Sequence, residues 1–135
     1  MKDVKVKILS NIKVEGSYYK MTLGAPYIAR HATPGQFVQV RCSDGFDPLL
    51  RRPFSIHRLT SNQGIEVLYE VIGRGTGILS GKKKGEHLDV LGPLGKGFTL
   101  PRSRAATIIA GGIGVAPLVF LAEALKNKNI KTTVL

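Results

Sequence analysis

Cysteine is almost absent from this 135-residue chain, tryptophan is missing altogether, and acidic side chains are scarce. The lone Cys42 excludes an internal disulfide, a four-thiolate iron–sulfur cluster and a cysteine-rich zinc site. It reads as a small buried apolar residue, and a chain without disulfides suits a reducing, cytoplasmic compartment. Nine Asp and Glu against twenty Lys and Arg leave a formal charge of +11. Such an excess favours an anionic partner: nucleic acid, an acidic membrane surface, a polyphosphate cofactor or an acidic protein. The few aromatics do not alternate with basic residues as in single-strand binders. With no helix-turn-helix or zinc-finger pattern, no nucleic-acid partner is expected. No Ser-His-Asp or paired-carboxylate arrangement supports a hydrolase. His31 and His87 have no evident co-ligands, so no metal site is expected.

Long apolar runs are also missing, with one case to weigh. Charges alternate through Met1 to Lys7, unlike a signal peptide. Ala105 to Ala122 carries no charge over eighteen residues, close to membrane-spanning length. Gly111, Gly112, Gly114 and Pro117 interrupt it, so a strand, a turn and a helix are expected and no membrane partner.

What is present is ordinary globular composition, 43% hydrophobic and 21% charged, in a length suited to one domain or one domain plus part of a second. Alternating or β-like runs recur at Lys5–Leu9, Tyr18–Leu23, Gln36–Arg41, Ile65–Ile72, His87–Leu91 and Thr107–Ala110. Short strands separated by Gly and Pro turns predict an antiparallel barrel or sandwich. From Ala116 to Lys126 the period becomes helical, with Leu118, Leu121, Ala122 and Leu125 on one face. Lys131 to Leu135 is β-like again. The tail is thus one βαβ unit, the opening of a nucleotide-binding sheet that a single unit cannot close. The expected architecture is a β-barrel over residues 1–100, then the truncated start of an α/β domain over 101–135, in a fragment of a longer protein.

Three constellations carry chemistry. In Arg51-Arg52-Pro53-Phe54-Ser55-Ile56, a guanidinium offers a planar fork to phosphate oxygens, Phe54 can cover a flat ring, and Ser55 adds a short donor and acceptor. The same residues also suit a basic corner of a barrel surface. Gly73-Arg74-Gly75-Thr76-Gly77 follows a strand, and its glycines let backbone amides approach an anion. Thr76 is expected to cap a short helix there, although a plain connection would look similar. In Gly111-Gly112-Ile113-Gly114-Val115-Ala116-Pro117, glycines follow a strand and open a helix, as a phosphate-binding turn does, and Pro117 fits the first helical turn. The spacing is not the G-x-G-x-x-G fingerprint.

Together, Arg52-Pro53-Phe54-Ser55, Gly75-Thr76 and Gly111 to Leu118 resemble, in order and spacing, the ferredoxin–NADP reductase superfamily. Pro48 to Ile56 and Asp89-Val90-Leu91-Gly92-Pro93-Leu94-Gly95 are most similar to the electron-transfer subunits of class 1B, NAD-dependent dihydroorotate dehydrogenases. The resemblance covers the whole chain. It implies a Greek-key flavin-binding barrel holding FAD, with Arg52 on the pyrophosphate, Pro53 and Phe54 beside the flavin, and Ser55 near N5 as the catalytic residue. It also implies backbone contacts from Tyr69, Glu70 and Val71, a pyrophosphate cap at Gly75 and Thr76, and an NAD(H) site opening at Gly111, Gly112, Gly114 and Pro117. Electrons would pass between NAD(H) and FAD, then a [2Fe–2S] cluster, then an FMN-containing catalytic subunit that interconverts dihydroorotate and orotate in pyrimidine biosynthesis, within a hetero-oligomer.

Two departures stand out. Phe54 replaces a frequent Tyr, so a hydroxyl contact is lost, and the cluster's cysteines are not in this chain. Lys82-Lys83-Lys84 reads as a solvated loop and His57 as a surface histidine. Rival readings are a related reductase module that uses FMN or has a ferredoxin or sulfur acceptor, and a basic β-barrel that binds nucleic acid or protein without redox chemistry. The cysteine count sets a first test: anaerobic incubation with iron and sulfide should leave the chain free of iron and of cluster absorption. Stoichiometric iron would contradict that expectation.

Overall fold

The computed structural model describes residues Met1–Leu135. Alternating apolar side chains generate one large antiparallel sheet. Its strands are β1 (Lys2–Glu15), β2 (Tyr18–Gly24), β3 (Phe37–Val40), β4 (Arg52–Ser55), β5 (Arg58–Thr60), β6 (Gly64–Glu70) and β7 (His87–Leu94). Their order across the sheet is β4-β3-β7-β1-β2-β6-β5. In β1, Val6 and Ile8 are buried while Lys5 and Lys7 face solvent, as a two-residue period requires. Val38, Val40, Met21, Leu23, Ile65, Val67 and Val90 complete the same interior. Each fully buried side chain of this size contributes about 1.5–3 kcal/mol relative to exposure.

The strand order has a geometric consequence. β4 and β5 lie at opposite edges of the sheet, yet only Ile56 and His57 separate them in sequence. Three Cα steps reach roughly 10 Å, so the sheet has to curl until its two edges nearly meet. The result is a half-barrel. The long β1 assists the curl, pairing with β7 through Lys2–Lys7 and with β2 through Lys7–Glu15. Register shifts between Ile8 and Ser10, and between Lys13 and Glu15, bend it in the manner of β-bulges.

Two short helices pack on the core of the half-barrel through Ile28 and Leu79. Helix α1 (Pro26–His31) starts on a proline and buries Ile28; the sequence patterning did not anticipate it, because six residues are too few to show a helical period. Helix α2 (Arg74–Ser80) buries Gly75 and Leu79. One side chain bridges its C-terminal end and the loop beyond: Asn11 Nδ2 donates to Leu79 O at 2.8 Å and to Lys82 O at 2.9 Å. Asn11 Oδ1 in turn accepts from the Tyr69 hydroxyl at 3.0 Å.

A second, small sheet holds β8 (Ala105–Ile108) and β9 (Lys131–Val134), which run parallel. Helix α3 (Leu118–Asn127) joins them, and Ile108, Leu125 and Ile130 form their shared core. The expected strand–turn–helix–strand is present with shifted bounds. Gly112–Val115 is a 3-10 turn and the helix proper starts at Leu118, with Pro117 at its cap. The glycines tighten the turn before the helix begins. Phe120 leaves this unit and packs in the barrel core. No helix is long and apolar enough to cross a membrane.

Asn11→Ala strands Lys82 O and the Tyr69 hydroxyl together, while Leu79 O keeps the Lys82 N–H. Unmet buried partners cost about 1–3 kcal/mol, so the urea midpoint is expected to fall accordingly. An unchanged midpoint would refute the clamp.

Candidate functional site: the cleft at the barrel seam

The near-closure of the sheet leaves a seam between β4 and β6, because β5 pairs only with Gly64–Glu66 and leaves the rest of β6 uncovered on that side. Here lies a cleft of about 650 Å³, within the range typical of cofactor sites. Arg52, Pro53, Phe54 and Ser55 form one wall, Leu68, Tyr69 and Glu70 the second, and Ile72 to Thr76 the floor. Ile113, Gly114, Ala116 and Pro117 close the far side. The three constellations, distant in sequence, thus meet in one place.

Arg52 stands out among its neighbours. Arg51 pairs with Asp3 at 2.7 Å, Arg74 with Asp47 at 2.6 Å and Arg41 with Asp89 at 4.0 Å. Arg52 has no carboxylate partner; its Nη1 donates only to Leu50 O at 2.9 Å. Its stem lies against Gly75, where a Cβ would meet Arg52 Cγ and Nε at 3.2 Å and Cys42 Sγ at 3.3 Å. Glycine at 75 is what lets α2 approach the guanidinium so closely.

Thr76 is placed differently from expectation. It is the third residue of α2, and the cap is Gly73. Thr76 Oγ1 accepts from the N–H groups of Ile72 and Gly73 at 3.1 and 3.2 Å, the reach-back half of a capping box. The sequence signal was ambiguous, because a threonine serves either position.

On β6 the alternation decides which groups face the cleft. Tyr69 turns its ring inward, 2% exposed, stacked on Tyr19 at 5.8 Å and edge-on to Phe54 at 5.6 Å. Burial, with lesser influences from Asn11, Tyr19 and Cys42, pushes its hydroxyl up to about 12. Val71 donates its N–H to Ser17 O and does not line the cleft, whereas Glu66 O accepts from His57 N on the opposite edge. By that alternation the backbone groups of Leu68 and Glu70 point to the uncovered side. Leu68 was missed in the sequence, although its two-residue spacing from Glu70 was there to be read. Gly111 and Gly112 also lie outside the lining, while Gly114 and Pro117 lie within it.

Cys42 is buried, 1% exposed, and desolvation raises its thiol pKa despite the nearby Arg52 charge. His57, expected at the surface, is half-buried and bonded through Nδ1 to Ala116 O at 2.7 Å. In the lysine run, Lys83 and Lys84 are exposed, and Lys82 pairs with Glu86 at 3.5 Å. No cluster of three His, Cys, Asp or Glu could hold a metal.

A curled antiparallel half-barrel with a seam cleft, followed by a strand–turn–helix–strand, is the fold of the ferredoxin–NADP reductase type. Solved structures agree on the fold. The NADH-dependent reduced ferredoxin-NADP oxidoreductase superposes with a TM-score of 0.83 at 26% identity, over 96% of this chain and 46% of that one. Phthalate dioxygenase reductase gives 0.82 at 19% identity, over 98% of this chain and 42% of that one. No protein-family model matches the chain. Among curated sequences, the dihydroorotate dehydrogenase B (NAD(+)) electron transfer subunit of Desulforamulus reducens is 49% identical over 130 residues, 95% of this chain and 50% of the relative. Its counterpart in Fusobacterium nucleatum is 35% identical over 139 residues, 100% of this chain and 54% of the relative. Nearly the whole chain is thus similar to these electron transfer subunits. It spans about half the length of the curated relatives it matches.

Burial of Cys42 sets a chemical test of the site's packing. A thiol reacts as its thiolate, which attacks the reagent's disulfide and expels the other sulfur, so a disulfide reagent at pH 8 is expected to leave the native protein unlabelled and to label it fully in denaturant. Prompt labelling of the native protein would mean that the junction of Cys42, Arg52 and Gly75 is open.

Proposed function

We propose that this chain holds FAD at the barrel seam and is the flavin-binding electron-transfer component of an NAD-linked oxidoreductase. The carrying observation is Arg52: a guanidinium without a carboxylate partner, at the wall of a cleft whose other charged lining residues are Glu70 and Arg74, the latter paired with Asp47. An uncommitted positive charge there suits a pyrophosphate, and Phe54 gives a planar apolar surface for a ring system. The fit extends to Gly75, where any side chain would push against Arg52. FAD, when bound, supplies the capacity to accept hydride and release electrons.

The residues then have defined tasks. Arg52 binds the cofactor's anionic bridge, with the backbone of Gly75 and Thr76 beside it. Leu68 and Glu70 offer backbone hydrogen bonds to the polar edge of a ring. Phe54 and Pro53 orient that ring, and Ser55 places a hydroxyl beside the reacting position. Ile113, Ala116 and Pro117 exclude water from the far side, where NAD(H) would enter. We assign residues 1–100 to the flavin-binding barrel and 101–135 to the start of the NAD-binding unit, with Gly111, Gly112 and Gly114 in its phosphate-facing turn.

By its kinship with the dihydroorotate dehydrogenase B subunits, the electrons would pass on to an FMN-containing catalytic subunit in the cytoplasm, in pyrimidine biosynthesis. The partner assembly is a hetero-oligomer in this proposal. Thiolates for a [2Fe–2S] relay would come from a longer form of the protein, since Cys42 is buried and alone.

Arg52→Ala removes a charge-assisted contact of roughly 1.5–3 kcal/mol, so FAD affinity is expected to fall about ten- to a hundredfold. Titrating FAD into the apo-protein and following its fluorescence measures this. Equal affinity in variant and parent would remove Arg52 from the site.

A further inference from the structure

The glycine-rich wall of the cleft has little of its own to hold it in place. A Cβ added at Gly111, Gly112 or Gly114 would meet nothing within 4 Å, and no side chain of theirs can anchor the turn. Its attachments lie elsewhere. On the β8 side, Ala110 N–H donates to Leu135 O, which ties the turn to the small sheet and not to the barrel. Towards the barrel, the 3-10 turn gives way to Ala116, whose carbonyl meets His57 Nδ1 at 2.7 Å. A carbonyl only accepts, so Nδ1 carries the proton.

His57 is well placed to hold that carbonyl. Its own N–H donates to Glu66 O at 2.8 Å, so the ring hangs from the paired edge of β6. Ala116 is buried, 4% exposed, and its N–H closes the 3-10 turn on Ile113 O at 3.0 Å. Fixing Ala116 therefore fixes Ile113, Gly114 and Pro117, the residues that face Phe54 and Ser55 across the cleft. Two further contacts sit beside it: Arg58 pairs with Glu123, and Phe120 enters the barrel core. Both act on α3, beyond the turn, and neither reaches the glycines.

From this we infer that His57 is a positioning residue: its Nδ1–H tethers the glycine-rich turn to the barrel and sets the spacing of the cleft's far wall from Phe54 and Ser55. The role in electron exchange rests on the flavin reading above; the tether itself does not. Ser55 ends β4 and His57 lies two residues on, in the link to β5, so the hydroxyl at the reacting position and the tether of the opposite wall share a single stretch of backbone.

Amide hydrogen exchange read by mass spectrometry, on the protein without added cofactor, tests the tether. His57→Leu deletes the donor. His57→Asn keeps an N–H on the atom bonded to Cγ, where Nδ1 stands. Loss of one hydrogen bond is expected to speed exchange in residues 111–120 about fivefold in the Leu variant. The Asn variant should exchange like the parent, and peptides covering β6 and β7 should be unchanged in both. Parental exchange in the Leu variant would overturn the inference. So would acceleration spread through β6 and β7, or failure of Asn to restore protection. FAD titration of the same three proteins separates the two readings: a parent that binds no FAD counts against the flavin assignment, whatever the exchange comparison shows.

Discussion

Everything at the site follows from one short connection. Strands β4 and β5 are opposite edges of a seven-stranded sheet, and two residues join them. The sheet is forced to curl, and because β5 covers only the start of β6, closure is incomplete. The seam that remains exposes strand backbone on one side and the Arg52–Ser55 strand on the other. A barrel normally removes its edges to avoid unwanted pairing; here one edge stays open inside a concavity, where a flat ligand and not another chain can use it.

Charge placement narrows that opening to one kind of ligand. The chain carries a large positive excess, but most arginines near the seam are neutralised by specific carboxylates. Arg51 is committed to Asp3, Arg74 to Asp47 and Arg58 to Glu123. Net charge alone would have suggested a generally basic surface. Pairing shows that one guanidinium in the cleft is free of a carboxylate, and an exposed ion pair contributes little compared with a charge kept available for an incoming phosphate.

Much of this was legible in the sequence, for identifiable reasons. Alternation in Ile65–Ile72 and His87–Leu91 marked two strands whose one face is buried, and the period change at Ala116 marked α3. Parts of the three glycine- or arginine-bearing segments line one cleft. Other features left no trace. Helix α1 and strand β5 are too short to show a period, and the role of Asn11 depends on carbonyls some seventy positions away. Thr76 was misplaced by three positions relative to the cap because its hydroxyl serves either end of a capping box. His57 looked like a surface residue because its partner, Ala116, is remote in sequence and contributes only a backbone oxygen. Long-range partners of backbone groups are invisible to composition and spacing alike.

Strand β1 has one more consequence, for the order in which the molecule can assemble. It is the first strand of the sheet in chain order and lies near its centre, between β7 and β2. Its second half finds β2 at once through a hairpin, but Lys2–Lys7 must wait for His87–Gly92. Until that stretch has left the ribosome, Val6 has no strand on the β7 side and the curl has nothing to close against. Pairings of such long sequence separation are slow to form and leave apolar edges exposed in the interval. Lys5 and Lys7, exposed on β1, are charges of the kind that discourage pairing with a wrong strand while it waits.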